Sequence, residues 1–152
     1  HALATIDINE RFFARVLAKG PTAAEPRLFP PTSPNLMPGQ IGILFGLTGP
    51  SAATASGPGG GLDALTLAAE VIAAGAADRM VACSLDLLGS ASEDLLHRCF
   101  ADAADVESGA AAVLLEADPT DALSTLDLDA PGGGFGHLAL ARAIGRLSAK
   151  KS

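Results

Sequence analysis

The chain has 152 residues, 49% hydrophobic and only 18% charged, which excludes a disordered chain and requires a substantial core. Aromatic residues make up 4%, with neither Trp nor Tyr, while Gly numbers 17, so small residues must build that core and backbones must pack closely. The net charge of −7 excludes nucleic acid as a partner, because an acidic surface repels phosphates instead of releasing their counterions.

In chain order, residues 9–19 read as a helix, with Asn9 as cap, Glu10 in the first turn and Gly20 as the stop. Phe13, Val16 and Leu17 are expected to form its buried face. Pro21, Pro26, Pro30, Pro31, Pro34 and Pro38 then mark an extended surface loop, since proline fixes φ and removes a donor. Leu28, Phe29, Leu36 and Met37 supply it with apolar anchors. A short helix follows from Asn35, burying Ile41, Leu44 and Phe45 and ending at Gly46.

The run of small residues from Ser51 to Ser56 reads as a short buried strand. Leu62, Leu65, Ala69 and Ile72 recur at helical spacing, with Asp63, Thr66 and Glu70 opposite and Gly75 as a left-handed stop. Residues 79–85 and 110–116 read as two buried strands. Strand, helix and strand in that order predict a βαβ unit, hence an α/β fold with a mostly parallel or mixed sheet packed against helices. Residues 137–148 predict a final helix carrying Leu138, Ala141, Ile144 and Leu147.

The cysteines, Cys83 and Cys99, are too few for a disulfide framework and read as reduced thiols of a cytoplasmic protein. No secretory signal is read, and the apolar stretch 62–77 is broken by Asp63 and Glu70, so no membrane partner is expected.

Among chemical motifs, the glycine cluster Gly57-Pro58-Gly59-Gly60-Gly61 lies between a predicted strand and helix, where anions can bind. It lacks the Lys-Ser/Thr of a phosphate loop and the spacing of a dinucleotide fingerprint, as does the cluster at 132–136. Both therefore read as tight turns that permit close helix–sheet contact. The histidines are His1, His97 and His137. Only His137, at a helix start, suggests a functional role, and no zinc site or other cofactor is implied. Asp102, Asp105 and Glu107 read as an acidic loop.

The segment Gly39 to Asp86 resembles the nucleophile region of the β-ketoacyl synthases, of the thiolase-like superfamily. Gly46, Gly49 and Pro50 open the likeness, and Gly61, Leu62, Gly75 and Asp78 continue it. Upstream, Phe29 to Asn35 (FPPTSPN) with Gly39-Gln40 is similar to the family's proline-rich approach. Downstream, Glu107-Ser108-Gly109 and the strand 110–116 are similar to its Asp-Gly-Ala-Gly strand. The likeness covers about residues 8–118 of a single domain expected to span 1–152. It implies a thiolase-like fold, partial or half, because members consist of two similar halves.

Two departures bear on mechanism. Counted without gaps from Gly49, the position of the family's nucleophilic cysteine holds Pro58. Proline has neither a thiol nor the backbone N–H that serves as an oxyanion donor in this family. The family's first strands and most of its second half, with the catalytic histidines and lysine, are also expected to be absent. Gly136-His137 resembles the family's Gly-His helix start, but glycines replace the lysine and serine before it.

A gapped alignment instead lays Thr54-Ala55-Ser56-Gly57 on the cysteine motif, making Ser56 the nucleophile, His137 its base, and Gly57, Gly59 and Gly60 oxyanion donors. The resemblance thus implies an inactive subunit, similar to a chain-length factor, beside an active ketosynthase in fatty-acid or polyketide synthesis. The implied partners are that subunit or a second copy in a dimer, and an acyl carrier protein. The alternatives are an acyltransferase or thioesterase built on Ser56, or a non-catalytic scaffold.

Overall fold

The computed structural model describes residues 3–100, 106–117, 137, 138, 140–142 and 144. In chain order its main elements are helix α1 (Ile6–Lys19), helix α2 (Leu36–Phe45), helix α3 (Gly60–Ala73), strand β1 (Arg79–Asp86), helix α4 (Ser90–Cys99) and strand β2 (Gly109–Glu116). The described residues of 137–144 are also helical. The chain divides into two compact units, one holding α3, β1, β2 and residues 137–144, the other α1, α2 and α4.

In the first unit, β1 and β2 pair antiparallel, from Arg79 opposite Glu116 to Asp86 opposite Gly109. The predicted βαβ unit is not formed, because residues 51–56 are irregular and provide no first strand. The connection between β1 and β2 instead leaves at Asp86 and returns at its ladder partner Gly109, which dictates opposite strand directions. Contrary to the expectation of two buried strands, each strand exposes one of its faces. Ala82, Ser84 and Asp86 point inward on β1, whereas Arg79, Val81 and Cys83 point outward. Burial on β2 alternates in the same way.

The core of this unit is made of Leu65 and Ala68 from α3, Ala82 from β1 and the fully buried Leu140. Met80, Ala111, Val113, Leu115 and Ile144 close around it. Ala68 and Ala82 let the helix approach the sheet closely, as the small-residue composition requires. Gly75 takes φ +70°, the left-handed stop expected after α3.

In the second unit, α1 begins at Ile6, three residues before the expected start, and Asn9 lies inside the helix. The Asn9 amide donates to the Thr5 and Thr32 carbonyls, so it ties helix to loop and does not cap. Phe13 and Leu17 are exposed, contrary to the expected buried face. Phe12 is half-buried, with its ring centroid 6.0 Å from that of Phe29, while Phe29 and Met37 are exposed and do not anchor the loop as expected. The proline-rich loop holds two 3-10 turns, Pro21–Ala23 and Pro30–Thr32, each opened by a proline whose fixed φ suits a first helical position.

Helix α2 begins after Asn35 and ends at left-handed Gly46, as expected, but Leu44 and Phe45 are exposed and Ile41 only half-buried. Its sequence LMPGQIGILF carries no charge, so it has no polar face to set its rotation.

The N-cap position of α4 is Gly89, which has no side chain with which to cap it. Asp7 of α1 supplies the cap: Oδ1 accepts from the Ala91 N–H at 2.9 Å and Oδ2 from the Gly89 N–H at 3.1 Å. The Ser92 hydroxyl also donates to Asp7 and accepts from the Gly89 N–H at 2.8 Å. Burial raises the Asp7 pKa, but the donors from Ser92, Ala91 and Gly89 outweigh it and hold the carboxyl below its ordinary range.

Among the described residues no helix is long and apolar enough to cross a membrane.

Candidate functional site

The glycine loop lies in the first unit, ahead of α3. Gly57-Pro58-Gly59 forms a 3-10 turn with Ser56 at its N-cap position and Gly57 at φ +70°. Only glycine holds that backbone region without strain, which explains its place directly after Ser56. Pro58 occupies the second position of the turn and offers no donor. The Gly60 N–H is spent inside the turn on the Gly57 carbonyl, and the Thr54 hydroxyl donates to the Gly60 carbonyl at 3.4 Å. Gly60 and Gly61 are buried as the first residues of α3. Gly59 is exposed, and no side chain lies within 4 Å of a Cβ placed there.

Ser56 is exposed, and its hydroxyl does not cap the turn. His137 is nine-tenths buried and directed elsewhere: Nδ1 lies 3.7 Å from Asp86 Oδ2, and Nε2 is packed against Gly109. Among the described residues no hydrogen bond joins Ser56 to His137, so the two are not brought together as a nucleophile and its base.

The second polar cluster is one that spacing alone did not reveal. Ser84 and Asp86, both fully buried, stand two residues apart on the inner face of β1, and Asp86 faces His137. The alternation Met80, Ala82, Ser84, Asp86 contained the signal. A strand expected over 79–85 stops one residue short of Asp86, the polar end of that face.

Asp102, Asp105, His1 and the cluster 132–136 lie outside the described residues, while Glu107 and His97 are exposed. Both cysteines are free and exposed. Among the described residues no group of three His, Cys, Asp or Glu side chains is placed to hold a metal ion.

Residues 8–117 match the family described as Beta-ketoacyl synthase, N-terminal domain. The chain belongs to that family. No curated protein matches it. Among solved structures, it is similar to a chain described as "The ishigamide ketosynthase/chain length factor", at 21% identity and a TM-score of 0.66. The likeness covers 80% of this chain and 35% of the solved one, so this sequence spans about a third of that protein's length. At this identity the match establishes the fold, a partial thiolase-like ketosynthase architecture, and agrees with the family match. The matched segment includes the loop from Ser56 to Gly61 and both paired strands.

Proposed function

We propose that this chain is a non-catalytic ketosynthase-like subunit that acts beside an active ketosynthase in polyketide or fatty-acid assembly. One observation carries the reading. The position counted as the family's nucleophile is Pro58, in a turn that uses the neighbouring Gly60 N–H for its own hydrogen bond. Thiol and oxyanion donor are both missing from one place, and loss of a single such donor ordinarily costs about 10²–10³ in rate. The similarity to a ketosynthase/chain length factor supports a role alongside a ketosynthase.

In this role the chain contributes surface and shape, and its partner contributes chemistry. The partner is a ketosynthase-type subunit, with an acyl carrier protein delivering the acyl chain. The carrier's docking falls to the partner, since this chain carries a net charge of −7 and carriers are acidic.

The test has two arms. Intact-mass measurement after incubation with acyl thioesters is expected to show no covalent adduct. An adduct mapped to Ser56 replaces this reading with an acyltransferase or thioesterase. Co-expression with a cysteine-containing ketosynthase is expected to give a stable complex, whereas a solitary monomer under those conditions rejects the partner role and leaves a free-standing scaffold.

A further inference from the structure

Asp86 and His137 take no part in the proposed function, yet both are buried and face one another across 3.7 Å. Asp86 is fully buried and the His137 side chain is 7% exposed. Its Nδ1 and the buried Ser84 hydroxyl, two residues before Asp86 on β1, have no hydrogen-bond partner among the described residues. We infer that Asp86 is a positioning residue that fixes His137 as its Nδ1–H tautomer, and that this pair sets how the 137–144 helix seats on the sheet.

The tautomer follows from the geometry. A bare Nδ1 lone pair opposite a carboxylate oxygen would set two acceptors against each other in a low-dielectric interior. A proton between them reverses the sign of that interaction. With the proton on the ring, Nδ1–H points at Asp86 Oδ2, the arrangement by which a neighbouring carboxylate selects a histidine tautomer. The other nitrogen, Nε2, lies against Gly109, where a Cβ would come within 2.5 Å of it. Asp86 and Gly109 are partners in the ladder. One rung of the sheet therefore supplies the charge on one side of the ring and the space on the other.

The seating follows from how the inner face of β1 is divided. Its first half, Met80 and Ala82, is apolar and packs with Leu140 and Ile144. Its second half, Ser84 and Asp86, is polar and buried. His137, Leu140 and Ile144 share one helix face at i, i+3 and i+7. A slide by one turn would bring Leu140 towards the carboxylate in place of His137, setting hydrocarbon against a buried polar group, which is unfavourable. Apolar contact alone is not directional, so the histidine–carboxylate pair selects the setting. This holds whether or not the chain is catalytic.

The experiment uses the full chain labelled with ¹⁵N. Long-range ¹H–¹⁵N correlation of His137 is expected to show a protonated Nδ1, and Asp86→Leu is expected to abolish that preference. The same substitution, and His137→Phe, which keeps an aromatic ring of somewhat larger size but removes Nδ1–H, are expected to accelerate Leu140 amide exchange on the order of tenfold. An Nε2–H tautomer in the unaltered chain overturns the inference even if neither variant folds. So does His137→Phe with unchanged Leu140 protection, since apolar packing would then suffice.

Discussion

His137 Nε2 lies 2.5 Å from the point at which a Cβ on Gly109 would stand. The glycine is thus part of the histidine's binding surface, although it belongs to a strand, where glycine is ordinarily a weak choice. Gly109→Ala separates the two effects. Strand propensity alone favours alanine by up to about 1 kcal/mol, whereas forcing a buried ring to move costs about 1–3 kcal/mol. The expected outcome is net destabilisation, seen as a lower urea midpoint at unchanged slope.

The cap that Asp7 makes on α4 is carried by a side chain 82 residues upstream of Gly89. Asp7→Ala is expected to cost about 1–3 kcal/mol, since it deprives the first turn of a charged acceptor. Loss of helical circular dichroism during urea titration measures it.

The same contact fixes the sign of an acid dependence. The Asp7 carboxyl titrates below its ordinary range in the folded chain, and an unfolded Asp titrates near about 3.9. Its contribution is present above that pH and is lost as the pH falls through the folded value. Stability measured between pH 5 and pH 2 is expected to fall less in Asp7→Asn than in the unaltered chain.

Gly89→Ala tests the cap from its other side. A Cβ on Gly89 would lie 2.5 Å from Asp7 Oδ1, so alanine displaces the acceptor. Because both substitutions remove one contact, Gly89→Ala combined with Asp7→Ala is expected to cost little more than either alone. Additive losses in denaturation would refute a shared contact.

Leu140 is fully buried among Leu65, Ala68 and Ala82, so Leu140→Ala is expected to cost about 2–5 kcal/mol. Leu17, on the exposed side of α1, provides the contrast. Leu17→Ala is expected to change stability by less than about 0.5 kcal/mol. Thermal or urea unfolding of both variants distinguishes a core contact from a surface one.

Much of the local structure was legible in sequence because it depends on near neighbours. Gly46 and Gly75 stop α2 and α3 in the left-handed region, and helical spacing located α3 to within two residues of its observed start. The covered face of α1 was not legible, since Phe12 and Phe13 are adjacent and helical spacing alone does not say which of the two is the less exposed. Strand direction was also hidden. It depends on where the chain returns after residues 87–108, which no local pattern encodes. The glycine loop was visible as composition, but that the Gly60 N–H is already committed required the backbone.

By itself the sequence determined the family, through glycines and prolines whose spacing reflects backbone demands, and it determined that Pro58 offers neither sulfur nor an N–H. Those are properties of covalent structure and need no fold. Only the tertiary structure decided that His137 turns to Asp86 and Gly109, with no hydrogen bond to Ser56. The partners of a buried polar group are chosen by segments far apart in the chain, and their meeting is a matter of packing.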